Sequence, residues 1–422
     1  MSHLSDPREQ RVHITGIGYS GAAGNGIVQL AQRLRDGDSA LRHLSLEERP
    51  IPALQVGALL ARDWNWRASE GAKTVAAQVL EKAEKLLRGA DAALRADAAA
   101  LLEAKGGAHI APERLGLVVG GSNLAHLMLC DEMARFGRNP AFANPRIGFH
   151  ALDTHVAATL AALAEARGPV MNVAAAAASG AVAAVAALDL IRAGRCDACL
   201  AVGAMQRLSP MDWHALAALG ALNVASEMPV PFGGSGNGFA PGEGATCILL
   251  ERADPTRHQQ RGSAGLAELA GGAFISGADP LPHPCRQDES RVMALALADA
   301  GIELGQVDLI TAHATGTAKG DEAEAGALAD LFGTALEQVW VAAPKAVTGH
   351  CLGASGMVGL VASVLMLGEN RVYPLPKSSA SQFATLRLAI GGAVDAPLRC
   401  AVSNAFGFGG FNACLVLRTL AP

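Results

Sequence analysis

Between Asn172 and Ile191 the chain reads NVAAAAASGAVAAVAALDLI, almost all Ala and Val from Val173 to Leu188 and broken only by Ser179 and Gly180. Side chains this small let backbones approach closely, so the stretch constrains the fold more than any other. A membrane span needs about 20 strongly apolar residues. Alanine supplies little transfer free energy, and Asp189 interrupts the run. The segment is therefore expected as a strand, a tight turn and a helix over 180–194 buried on all sides of a large core.

The surrounding chain supports a layered α/β fold. Gly-bounded apolar runs at 11–18, 114–121, 168–173, 198–204 and 244–251 read as strands, with helical patterns at 26–37, 72–90, 154–168 and 180–194 between them. After a polar stretch at 253–262 the theme restarts. Strands are expected at 265–274, 307–315, 338–345 and 398–406, and helices at 289–302 and 356–369. GFAPGEGATCILLE and GFGGFNACLVLR both read as a Gly-rich turn followed by a buried strand. An internal duplication follows, with an N-terminal half 1–255 and a C-terminal half 256–422.

Composition narrows the function. The formal charge is −5 and half the residues are hydrophobic, so no general basic field exists to hold nucleic acid. No apolar leader precedes RVHITGIG, and eight scattered cysteines suit a reducing compartment, so a cytoplasmic protein is expected. Cys196 and Cys199 have CxxC spacing but no second ligand pair in sequence, and are read as buried thiols at a strand start. GIGYSG (16–21) fits a dinucleotide fingerprint, but Asp36 and Asp38 fall at a helix end, so glycines at a strand-to-helix turn are expected instead.

Three stretches in the second half combine reactive groups with tight turns. TAHATGTAKGD carries His313, Thr315 and Thr317; PKAVTGHCLGASG carries Lys345 and His350; SNAFGFGGFN carries Phe406, Phe408 and Gly409. All lie at the carboxyl ends of expected strands, where ligands bind in α/β sheets. Together with GFAPGEGA they make the chain resemble the β-ketoacyl-acyl-carrier-protein synthases of the thiolase-like superfamily, over about 11–418.

The resemblance implies two βαβαβαββ halves in a five-layer αβαβα fold, usually dimeric. It also implies a decarboxylative Claisen condensation of acyl and malonyl thioesters in fatty acid or polyketide biosynthesis. Substrates would ride on the phosphopantetheine of an acyl carrier protein, with no cofactor bound by the chain itself. The family's T-A-C-x-S-G pattern, laid on AAAASG (175–180), places Ala177 at the nucleophilic cysteine. His313 and His350 take the place of the histidine pair that binds the malonyl carbonyl, and Lys345 that of its companion lysine. Thr315 and Thr317 would meet the phosphopantetheine arm. Backbone N–H groups of Ala177 and Phe408 would form the acyl oxyanion hole, with Phe408 as a gate. Cys351, although next to His350, is expected to point elsewhere.

Departures shape the expectation. Ala177 removes the thiol, so the leading reading is a condensing enzyme in a Cys-to-Ala form, inactive in condensation as written. The alternatives are a chain-length-factor-like partner subunit, in a heterodimer with a paralogous synthase rather than a homodimer, or a malonyl-carrier-protein decarboxylase. A degradative thiolase would need a second cysteine that SNAFGFGG lacks. Val230, Gly233, Gly236 and Asn237 replace charged residues of the family pattern, and Gly359 stands where elongating enzymes often carry Glu. Arg62, Arg67 and Lys73 are the expected basic contact for the acidic carrier protein. The acyl tunnel is expected around 121–160.

Overall fold

The computed structural model describes residues 10–42, 59–60, 77–223, 229–233, 236, 238–254, 265–376 and 383–420. Its centre is one mixed sheet of eleven strands. The first half supplies β1 (Val12–Gly21), β2 (Leu115–Gly120), β3 (Val170–Val173), β4 (Ala198–Gly203) and β5 (Gly244–Arg252). The second supplies β6 (Ala267–Ser276), β7 (Leu309–Thr311), β8 (Trp340–Ala342), β9 (Arg387–Leu388), β10 (Cys400–Gly407) and β11 (Phe411–Arg418).

The order across the sheet is β9-β8-β7-β10-β11-β6-β1-β5-β4-β2-β3. Outward from the centre, β1-β5-β4-β2-β3 repeats as β6-β11-β10-β7-β8. In each half the first two pairings are antiparallel and the next two parallel. The duplication legible in the Gly-rich turns is thus a duplication of topology. The halves join where β1 pairs with β6, His13 opposite Glu268 and Ile14 opposite Ala267.

Helices α1 (Ile27–Asp36), α2 (Ala92–Lys105), α3 (His126–Arg138), α4 (Asp153–Ala164), α5 (Ser179–Arg192), α6 (Pro210–Ala218), α7 (Arg286–Ala300), α8 (Ala318–Phe332) and α9 (Ser355–Glu369) cover and fill the sheet. The sequence reading did not separate α2, α3, α6 and α8. Alanine-rich α2 has a weak amphipathic pattern because it is buried nearly all round, from Ala93 to Ala104. The glycines of GIGYSG require a correction. They lie inside β1 rather than at its exit, because α2 rides directly on the strand. A Cβ at Gly16 would sit 1.9 Å from the Ala104 carbonyl oxygen, and one at Gly18 2.0 Å from that of Ala100.

The alanine run becomes α5, entered through a 3-10 turn at Ala176–Ala178. Its counterpart α9 is entered through a 3-10 turn at Leu352–Ala354. The segment Leu352–Glu369 is long and apolar enough to cross a membrane, but 78% of it is buried inside the protein. The two helices touch through glycine. A Cβ at Gly180 would lie 3.0 Å from the Gly353 oxygen; one at Gly356 would lie 2.8 Å from Ala405 Cβ and 2.9 Å from Ala181 Cβ. Larger residues would force the helices apart.

Gly356→Ala is therefore expected to lower stability by about 1–3 kcal/mol in thermal or denaturant unfolding. Gly368→Ala, in the same helix with no atom within 4 Å of the new Cβ, is expected to raise it by about 0.5–1 kcal/mol.

Candidate active site

The turn into α5 has the form of a nucleophile elbow. Ala175 N–H donates to Ser179 Oγ (2.9 Å), and that hydroxyl donates to the Ala176 carbonyl (2.7 Å). Ala176 holds φ 47°, a left-handed conformation costly for a residue with a Cβ. β2 and β10 close around the turn through glycine. A Cβ at Gly120 would fall 2.3 Å from the Ser179 oxygen, and one at Gly407 would fall 2.6 Å from the Ala175 oxygen and 3.2 Å from Ala177 N. Ala177 is half-buried at this junction. The elbow is fully built and carries a methyl group where the resemblance places a thiol.

The second half brings its reactive groups together at the ends of β7 and β8. His313 follows β7, while Lys345 and His350 lie between β8 and α9. The imidazoles meet edge to face, 5.7 Å between centroids at 86°. Lys345 Nζ is 3.4 Å from His313 Nδ1 and also donates to the His313 carbonyl. His350 Nδ1 accepts the Leu352 N–H (2.9 Å) and lies 3.2 Å from Ser355 Oγ. An amide N–H can only donate, so the neutral His350 ring carries its hydrogen on Nε2. Phe239 packs 4.7 Å from the His350 ring and Phe406 5.6 Å from that of His313.

Behind His313 lies a carboxylate that the sequence reading missed. Glu324 accepts N–H groups from His313 (2.8 Å) and Ala314 (2.7 Å) and the amide of Asn404 (3.1 Å). These bonds hold Ala314 at φ 23°, strained, and so fix the chain at His313. One turn earlier, Asp321 accepts the Phe232 and Gly316 N–H groups (2.6 and 3.1 Å). The signal was present, since Asp321, Glu324 and Leu328 recur on one face of α8 and all three are buried. Charged residues at core spacing mark a polar job.

Burial dominates the electrostatics. It lowers Lys345 to about 8, with Glu324 opposing the shift. It lowers His350 to about 3, helped by Lys345, and holds His313 well below its ordinary range, helped by Lys345 and His350. At neutral pH both imidazoles are uncharged beside an ammonium. Burial also raises Asp321 to about 7 and pushes Glu324 upward against its N–H donors. Cys351 faces away from the histidines; its Sγ lies against Thr348 and Gly349 carbonyls, and burial pushes it up to about 12.

The remaining site residues surround this core. Thr315 and Thr317 share a hydroxyl hydrogen bond of 2.9 Å at the start of α8. Phe406 is buried, whereas Phe408, on the turn containing Gly409 (φ 82°), is 45% exposed. A Cβ at Gly359 would press on Ser403 Oγ at 3.3 Å, and that buried hydroxyl has no hydrogen-bond partner among the described residues. Gly236 sits at φ 58°, where a Cβ would be 2.8 Å from Ala318. Asn237, Arg62, Arg67 and Lys73 lie outside the described residues. Cys196 and Cys199 are buried free thiols at the start of β4. The expected tunnel segment contributes Asn123, His126, Leu129, Leu152 and Thr154 to a cavity of about 290 Å³. Four of its large apolar side chains, Met133, Phe136, Phe142 and Phe149, are exposed.

With this geometry in view, known proteins supply the family. The β-ketoacyl synthase N-terminal domain profile matches residues 9–255, and the C-terminal domain profile matches 266–378. The chain belongs to the β-ketoacyl synthase family. A polyketide biosynthesis malonyl-ACP decarboxylase, PksF of Bacillus subtilis, is 27% identical over 97% of this chain and 96% of its own. 3-oxoacyl-[acyl-carrier-protein] synthase 2 of Staphylococcus aureus is 32% identical over 54% of this chain and 56% of its own. Among solved structures, the ishigamide ketosynthase/chain length factor superposes with a TM-score of 0.83 at 24% identity, covering 98% of this chain and 100% of that one. That likeness establishes the thiolase-like ketosynthase fold.

A second carboxylate backs the β-ketoacyl synthase site. Glu289 on α7 is 2% exposed, and its Oε2 has no hydrogen-bond partner among the described residues. Burial, with Glu324 and Asp288 nearby, raises it to about 9. The folded protein therefore binds this proton more tightly than the unfolded chain, and stability falls as pH rises from the unfolded value toward 9. Glu289→Gln is expected to flatten that dependence and to raise the melting temperature at pH 8 by roughly 2 °C or more, read by calorimetry across pH 5–9.

Proposed function

We propose that this β-ketoacyl synthase relative runs the decarboxylation half of the condensing reaction, converting malonyl to acetyl on an acyl carrier protein. One observation carries the reading. The Lys345–His313–His350 set is complete while the elbow offers Ala177. Decarboxylation needs donors that stabilise an enolate; acyl transfer needs the thiol. The near full-length likeness to a malonyl-ACP decarboxylase supports the same division.

The residues assign themselves by chemistry. The phosphopantetheine arm would lie along Thr315 and Thr317, with no cofactor required from the chain. The thioester carbonyl would sit between the imidazoles, accepting from His350 Nε2–H. As the carboxylate leaves as CO2, negative charge grows on that oxygen beside two neutral imidazoles and the Lys345 ammonium. Such donors act in a dry site, where each is worth about 3–4 kcal/mol. The Ala177 and Phe408 N–H groups form the second oxyanion site of a condensing enzyme, held ready by the intact elbow.

Malonyl-carrier protein is expected to lose CO2 on incubation with the chain, read by intact mass of the carrier protein. His350→Ala should slow this by about 10²–10³-fold. Ala177→Cys should gain one acyl group from acyl-carrier protein, where the native chain gains none. No CO2 loss by a folded chain would sink the reading.

A partner subunit is part of the proposal, favoured by the outward apolar face of Met133 (72% exposed), Phe136 (56%) and Phe142 (72%). β3 is an edge strand of the sheet, and among the described residues nothing partners either polar side-chain atom of its Asn172. A second copy or a paralogous synthase would cover this face. Light scattering is expected to show a dimer, and Met133→Asp with Phe136→Asp a monomer.

A further inference from the structure

We propose that Lys345 is the proton source for the carbanion that decarboxylation leaves, delivering through the His313 ring to the methylene carbon. This rests on the decarboxylase reading above. The requirement is stoichiometric. Loss of CO2 breaks a C–C bond and leaves its electron pair on the enolate. In a condensing enzyme an acyl thioester accepts that pair. Ala177 holds no acyl group, so the pair must end in a C–H bond and each turnover consumes one proton.

The contacts around His313 supply a route. Lys345 Nζ approaches Nδ1 at 3.4 Å, and an ammonium can only donate, so Nδ1 is the acceptor and the neutral ring carries its hydrogen on Nε2. No described protein group engages His313 Nε2, and Phe406 and His350 flank the ring. The step balances. The Nε2–H bond breaks as the C–H bond forms, and Nδ1 takes a proton from Lys345. The ring stays neutral and changes tautomer, and the lysine becomes an amine; to reset, solvent protonates Nε2 and Nδ1 returns its proton to the lysine amine.

His350 lacks this capacity. Its Nδ1 faces the Leu352 amide and the Ser355 hydroxyl, neither of which gives up a proton near neutral pH. It is a fixed donor, suited to holding the enolate oxygen. Lys345 is placed differently. Glu324 and Asp321 face it from α8, Cys351 from the turn before α9, and the two imidazoles from the site. The carboxylates favour the ammonium while burial disfavours it, leaving a group charged at neutral pH that can still release its proton.

The test is turnover of malonyl-carrier protein to acetyl-carrier protein between pH 6 and 10, in H2O and D2O, for the native chain and Lys345→Arg. Native kcat is expected to fall about tenfold per pH unit on the alkaline side, with a solvent isotope effect. Lys345→Arg keeps the charge but holds its proton too tightly. It should lose about tenfold or more in kcat, keep KM within about twofold, and lose the alkaline limb. Native kcat in Lys345→Arg, or a native profile flat to pH 10, overturns the proton-source role and leaves decarboxylation standing. Absence of acetyl-carrier protein from the native chain overturns both. The native profile needs no variant, so a misfolded Lys345→Arg does not weaken the test.

Discussion

The close approach of α5 to α9 is the contact on which the rest depends. Gly180 and Gly356 let the two helices touch with backbone and Ala181 between them. Each helix follows an elbow with one strained residue, Ala176 at φ 47° and Leu352 at φ 49°, and each elbow ends in Ser-Gly. Packing the helices together therefore packs the elbows together. A Cβ at Gly353 would lie 3.7 Å from the Ala176 oxygen. One half contributes Ala177 and the other contributes His350 from the matching turn. The active site is the junction of a duplicated motif, which is why the sequence must be so poor in bulk there.

That junction is buried, and burial sets its chemistry. An ammonium in such a place is costly unless carboxylates and carbonyls answer it. The His313 carbonyl and Glu324 do so for Lys345, and Glu324 is itself answered by the His313 and Ala314 amides and Asn404. The same carboxylate thus positions the histidine and balances the lysine. Asn404 passes this constraint to α7, where its amide also meets Met293 Sδ at 3.3 Å, one turn beyond Glu289. The polar network runs from solvent-excluded helix to catalytic ring through side chains that no surface motif would reveal.

Much of this was legible in the chain and some was not, for physical reasons. Strand ends, the alanine helix and the grouping of His313, Lys345 and His350 follow from Gly punctuation and from strand exits. The β-ketoacyl synthase motifs tied these residues to carrier-bound thioesters. The glycines of GIGYSG misled because a strand crossed closely by a helix and a strand-to-helix turn demand the same residue. α2 escaped notice because a helix buried all round has no polar face to mark its period. Glu324 and Glu289 were hidden by the rule that carboxylates face water, and only the paired burial of Asp321 and Glu324 on α8 shows the exception. CLGASG against AAAASG, by contrast, was readable as a repeat once the two elbows are compared.

The elbow also bears on what Ala177 means. Strain at Ala176, the Ser179 hydroxyl bonded twice and the glycine contacts at Gly120 and Gly407 all serve to aim backbone N–H groups, and none involves the side chain at 177. A methyl group at 177 is therefore compatible with the turn as built. On the proposed reading, what it changes is the fate of the enolate. With no acyl group at 177, that reading leaves the electron pair released at the histidines without a carbon electrophile, and protonation becomes the second step of the proposed reaction. The proposed chemistry then lies wholly in the second half, where a lysine poised by burial sits against one nitrogen of an imidazole whose other nitrogen meets no described protein group. On the proposed reading, a methyl group where the resemblance places a thiol is all that separates a two-substrate condensing site from one that needs only a thioester and a proton.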